Sequence, residues 1–145
     1  MGTDKEGRTT DELRSALMES PDLNTFLEEN EDSFIRRSIQ EQLKELFLKT
    51  DLSKAELARR SGVSTVYLHQ LFSGRRTPSR DRLICLAIGL SAALEETQQL
   101  LRRAGQAELY PRDRRDAIIL YGIVHREDLH TINSRLFDAN EETLV

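Results

Sequence analysis

The chain has 145 residues, enough for one domain of ordinary size or a small domain with extensions. Its hydrophobic fraction of 38% can build a core, and the absence of Trp with only 7 Gly and 3 Pro favours helices joined by short loops over a turn-rich sheet. The net charge is −4, the one cysteine excludes an internal disulfide framework and a multi-cysteine zinc site, and no apolar run is long enough for a membrane span.

The N-terminus "MGTDKEGRTTDE" is polar and lacks the apolar core of a secretory signal, so a cytoplasmic location is expected. Residues 1–9 have the composition of a disordered lead-in. "TTDELRSALMES" then reads as a helix with Thr10 as N-cap and Leu13, Ala16 and Leu17 on one face. Leu23, Phe26 and Leu27 repeat that spacing in a shorter helix. Residues 1–32 hold 3 basic and 10 acidic side chains, a local charge of −7, and are taken as an acidic helical extension. "DSFIRRSIQEQLKELFLKT" is the longest periodic segment, with Ile35, Ile39, Leu43, Leu46 and Phe47 as its stripe.

Two short helical patterns follow in "LSKAELARRSGVSTVYLHQLFSGRRTPSR", Leu52 to Arg80. Ser53 is placed to cap the first, with Glu56 at capping-box spacing. Gly62 interrupts the pattern, and Ser64 caps a second helix whose buried face is Val63, Tyr67 or Leu68, and Leu71. Ser73-Gly74 ends it, Pro78 forbids continuation, and Ser79 is the next cap. Residues 53–82 carry seven basic side chains (Lys54, Arg59, Arg60, Arg75, Arg76, Arg80, Arg82) against Glu56 and Asp81, a local +5. An acidic chain thus concentrates positive charge in one segment, as a polyanion-binding surface requires.

Leu83, Leu86, Ala87 and Leu90 give the next apolar stripe, and Leu94, Leu100 and Leu101 another, with Gly105 as a stop. Cys85, inside "LICLAIGL", reads as a buried thiol. Beyond Pro111, "RDRRDAIILYGIVHRED" and "LHTINSRLFDAN" suggest a helical hairpin. Ala117–Val124 is rich in β-branched and aromatic residues, but a lone strand would have no partner, which favours a buried helix. "RDRRD" reads as a helix start with internal ion pairs, and a secondary contact to DNA backbone is the lesser alternative. His125, Asp128 and His130 match no standard zinc spacing and read as a surface turn. No phosphate loop, catalytic triad or paired-carboxylate constellation is present, so neither enzyme activity nor a cofactor is expected.

The residues "LSKAELARRSGVSTVYLHQLFSGRRTPS" resemble the helix-turn-helix of the lambda-repressor-like class, the Xre family. The likeness lies in Leu57-Ala58, the turn Ser61-Gly62-Val63, the helix from Ser64 to Gly74 and the basic residues and proline after it. It covers roughly residues 33–105 and implies an all-α, five-helix lambda-repressor-like DNA-binding domain with additional N-terminal (1–32) and C-terminal (106–145) helices. It also implies double-stranded DNA as partner and a homodimer on a two-fold related operator. Thr65, Val66 and Gln70 match base-reading positions, with Gln70 suited to adenine and Val66 or the Thr65 methyl to thymine. Ser64 matches a position that contacts phosphate or a base edge, and His69 faces either DNA or the protein's own surroundings. Lys54 stands where the family usually has Gln on phosphate, and Arg75 and Arg76 match its basic loop. Phe72 departs from the Glu that many relatives carry. Ile118, Ile119, Tyr121, Leu136 and Phe137 are candidates for dimerisation or, equally, for core. The alternative function is a protein-interaction adaptor or antitoxin-like protein, binding a protein partner through the N-terminal or C-terminal helices on a helix-turn-helix scaffold.

Overall fold

The computed structural model describes residues 8–30 and 39–144, all of whose regular elements are α-helices. Ile35, the start of the long periodic segment and most of the expected disordered lead-in lie outside the described residues. The chain divides into two compact units, Met1–Arg36 and Arg37–Val145.

The first unit holds α1 (Thr10–Glu19) and α2 (Leu23–Glu29). The cap of α1 is Thr9 and not Thr10: its hydroxyl oxygen accepts from the Glu12 N–H and its hydroxyl donates to the Glu12 carboxylate at 2.9 Å. The residue three places after Thr10 is Leu13, which cannot pair with a hydroxyl, so the Thr–Glu pair forms one residue earlier. Asp22 caps α2, and its bonds from the backbone and side chain of Thr25 hold its carboxyl below the ordinary carboxylate value. Of the apolar positions here only Phe26 is buried, while Leu17, Met18, Leu23 and Leu27 are exposed.

The second unit begins with α3 (Ile39–Leu48), which buries Ile39, Leu43 and Leu46. Next come α4 (Lys54–Ser61), α5 (Thr65–Phe72), α6 (Arg80–Gly89) and α7 (Leu94–Arg103). Ser53, Ser64 and Ser79 cap α4, α5 and α6, each accepting from the N–H three residues on. Beyond its charged first turn α6 is apolar all round, burying Leu83, Ile84, Cys85, Leu86 and Ala87, as the central element of a bundle must be. Gly89 is there because α4 crosses α6 at Ser61: a Cβ on Gly89 would overlap Ser61 Oγ and sit 3.2 Å from the Ser61 backbone nitrogen. Phe72 fills core space, its ring tilted on Phe47 with centroids 5.7 Å apart.

The C-terminal hairpin is α8 (Arg114–Val124) and α9 (Leu129–Asp138). The β-branched run is a helix, and Gly122 lets α9 approach so closely that a Cβ there would overlap Ile132. Ile119, Ile123, Ile132, Leu136 and Leu144 join the same core as α3–α7. Of the five candidates for dimerisation, Ile119 and Leu136 are therefore interior and Ile118 is half-buried, whereas Tyr121 and Phe137 are exposed. The expected internal ion pairs of "RDRRD" run between elements instead. Arg80 makes a two-pronged bond to Asp116 at 2.9 and 3.3 Å, and Arg115 makes one to Asp81 at 3.0 and 3.1 Å. Both guanidinium groups also donate to backbone carbonyls, Arg80 to Ala107 and Glu108, Arg115 to Glu142 and Thr143. A flat, five-donor guanidinium suits such multiple bonding, and the two pairs clasp the start of α6 to the start of α8.

Candidate nucleic-acid interface

Helix α4 ends at Gly62, whose φ of 65° is left-handed, and the Val63 N–H closes the turn on the Ala58 carbonyl at 3.0 Å. The chain then restarts at the Ser64 cap, with the Tyr67 N–H on Ser64 Oγ at 3.0 Å. Leu68 and Leu71 are fully buried, so the helical period turns Thr65, Val66 and His69 to the surface and leaves Gln70 at its edge, half-buried. Val66 is 63% exposed, an apolar side chain presented outward from a helix whose anchors lie on the opposite face. The three expected base-reading side chains therefore share one accessible face of α5.

Within residues 53–82 the seven cations separate into two sets. Arg59 is bonded to Glu56 at 2.7 Å, Arg60 lies 3.9 Å from the same carboxylate, and Arg80 is held by Asp116. The Arg59 guanidinium keeps the Glu56 carboxyl below its ordinary value. Among the described residues, Lys54, Arg75, Arg76 and Arg82 form no ion pair. Lys54 is exposed at the first position of α4, where a cation opposes the helix dipole, so helix stability does not explain it.

After α5 the chain reverses at Gly74, φ 83°, and the Arg75 N–H reaches the Gln70 carbonyl at 2.9 Å. The reversal brings Arg76 back over α5: its Nε donates to Gln70 Oε1 at 2.6 Å, and its guanidinium carbon lies 5.6 Å from the centre of the Tyr67 ring. From the next helix Arg82 approaches the same ring at 5.1 Å. Burial pushes the Tyr67 hydroxyl above its ordinary pKa, against the pull of the two guanidinium groups. Two like charges beside one aromatic ring make a place where an anion is favoured.

Arg82 and Tyr67 were not among the residues singled out from sequence as contacts. The available signal was the three-residue offset of Arg82 from the Ser79 cap, which puts it in the first turn of α6. Arg80, one turn-position away, is turned inward by Asp116. The His125, Asp128, His130 segment has local partners: Asp128 caps α9 through the Thr131 N–H at 2.8 Å, and His125 stacks on Tyr121 at 3.9 Å.

Residues 43–96 match a family described as helix-turn-helix, a family of DNA-binding domains. The matched segment runs from the middle of α3 into the first turn of α7, with α1, α2, α8 and α9 outside it. No curated protein and no solved structure matched the chain at a significant level. No helix among the described residues is long and apolar enough to cross a membrane.

Proposed function

We propose that the protein is a sequence-specific transcriptional regulator of the lambda-repressor-like, Xre type that enters the major groove of double-stranded DNA with α5, a reading supported by the helix-turn-helix match over residues 43–96. The observation that carries this reading is the exposed, uncharged face of Thr65, Val66 and His69, with half-buried Gln70 at its edge, bordered by Lys54, Arg75, Arg76 and Arg82 without carboxylate partners. Neutral side chains suit base edges, and unpaired cations suit the phosphates on either side. In this reading the Thr65 and Val66 methyls pack on thymine, the Gln70 amide contacts a base edge, and the Ser64 hydroxyl donates to a phosphate or a base. Lys54, Arg75 and Arg82 meet phosphates.

One short helix offers few base contacts, so the regulator acts as a homodimer on half-sites about one helical turn, roughly 34 Å, apart. Of the five candidates for the dimer contact, Tyr121 and Phe137 are the ones exposed on α8 and α9. Selection of bound sequences from a random duplex pool should enrich a palindrome. Log affinity should fall with log salt by about 0.9 per phosphate contacted. Equal affinity for every sequence would overturn the reading.

A second reading, a protein-binding adaptor, draws on the exposed Leu17, Met18, Leu23 and Leu27 of the acidic first unit. It predicts no enrichment in the same selection.

A further inference from the structure

We propose that Arg76 is a positioning residue for Gln70, and that their hydrogen bond redirects Gln70 from adenine to guanine. The inference rests on the reading of α5 as the groove-entering helix and assigns the preference at one of its base pairs.

A free glutamine amide has one donor end and one acceptor end, and it serves adenine because adenine offers both N7 to accept and N6–H to donate. At Gln70 one of the two lone pairs of the acceptor end is already taken. The Arg76 Nε–H lies on its Oε1 at 2.6 Å, short enough for a strong charge-assisted bond. A guanidinium carries no acceptor, so the amide cannot be turned to put its NH2 toward Arg76. Arg76 therefore fixes which end of Gln70 faces it, and of the two ends the Nε2 hydrogens are the one wholly free to meet a base.

The restraint is built into the fold. Left-handed Gly74 reverses the chain so that Arg76 returns to α5, and a Cβ at Gly74 would meet nothing within 4 Å, so conformation and not space selects glycine there. The Arg76 guanidinium lies over the Tyr67 ring, and its carbonyl accepts from Gln40 Nε2 of α3 at 3.4 Å. No carboxylate among the described residues competes for it. Beyond the one N–H used, its Nη groups remain as donors. The pair thus offers the groove mainly donors, and guanine, with N7 and O6, is the base that offers two acceptors there.

The test uses the full chain and duplexes derived from a selected site. The base pair facing Gln70 is the position at which Gln70→Ala flattens the preference. At that position the wild type should bind guanine at least tenfold better than adenine. Arg76→Ala and Arg76→Met should shift the preference toward adenine by several fold. The Met variant keeps an apolar stem against Tyr67 while removing every N–H, and circular dichroism of both variants checks that the helices are retained. Arg75→Ala should lower the salt slope by about 0.9 and leave the base preference unchanged. If both Arg76 variants lower the salt slope yet keep the wild-type preference, Arg76 is a phosphate contact alone and the proposal is wrong. A wild-type preference for adenine also overturns it, with the regulator reading intact. Binding without any sequence preference removes the regulator reading itself, and this inference with it.

Discussion

Cys85 sits 1% exposed in the middle of α6, and burial pushes its thiol up to about 11 from an ordinary 9.0. The shift has a consequence for stability at alkaline pH. Below pH 9 the thiol is neutral in both folded and unfolded chains and costs nothing. Between 9 and 11 the unfolded chain loses the proton while the folded chain keeps it, so stability falls as pH rises, by about 2–3 kcal/mol for a shift of this size. Denaturant midpoints measured from pH 8 to 11 should therefore decline, and Cys85→Ala, less stable at neutral pH, should decline less steeply over that range. Equal slopes would mean that other groups govern the alkaline loss. Burial that suppresses thiolate formation also makes the folded thiol slow toward alkylating reagents at pH 8.

Helices reveal their capped ends in sequence more readily than the places where they cross. Ser53, Ser64 and Ser79 were readable because a cap is a local bond, made within three residues of its donor. The outward face of α5 was readable for the same reason, since period alone separates Leu68 and Leu71 from Thr65, Val66 and His69. Partners distant in the chain were not. Nothing near Arg80 indicates that Asp116 turns it away from the surface, and nothing near Ile119 or Leu136 tells a core position from an interface. Nothing in the sequence pattern singles out Gly89, yet it marks the contact between α4 and α6. Glycine to alanine in an open helix gains up to about 1 kcal/mol. Here the added methyl overlaps the Ser61 hydroxyl and crowds the Ser61 backbone nitrogen at 3.2 Å, so Gly89→Ala should instead destabilise by about 1–3 kcal/mol. The Ser61 hydroxyl is buried with no hydrogen-bond partner among the described residues, so Ser61→Ala alone should be nearly neutral. Combined with Gly89→Ala it should restore part of the loss. Strict additivity in this double-mutant cycle would place the clash elsewhere.

Across the whole molecule, the positive face depends on residues that never reach it. Arg82 stands over Tyr67 only while the first turn of α6 is held, and that turn is held by the Arg80–Asp116 and Arg115–Asp81 pairs together with the shared core under α8 and α9. Asp116 is the most committed of these groups, accepting from Arg80 twice and from the Tyr110 N–H at 3.0 Å. Its side chain is 9% exposed against 23% for Arg80, so removing it strands a partly buried cation and a backbone donor together. Loss of one partner from such a pair costs about 3 kcal/mol, whereas the intact pair adds little beyond a well-packed apolar substitute. Asp116→Ala should therefore lower the unfolding free energy by about 3 kcal/mol, and replacing Arg80 and Asp116 together with Met and Leu should recover much of it. If the C-terminal hairpin were an independent appendage, Asp116→Ala would alter only its own melting and leave residues 37–105 unchanged. A single cooperative transition that moves as a whole in calorimetry is the expected result, because Ile119, Ile132 and Leu136 share one core with Leu57, Leu68 and Leu86. Two separated transitions would show that the helices beyond the family match are passengers, and that the surface carrying Arg82 needs no support from them.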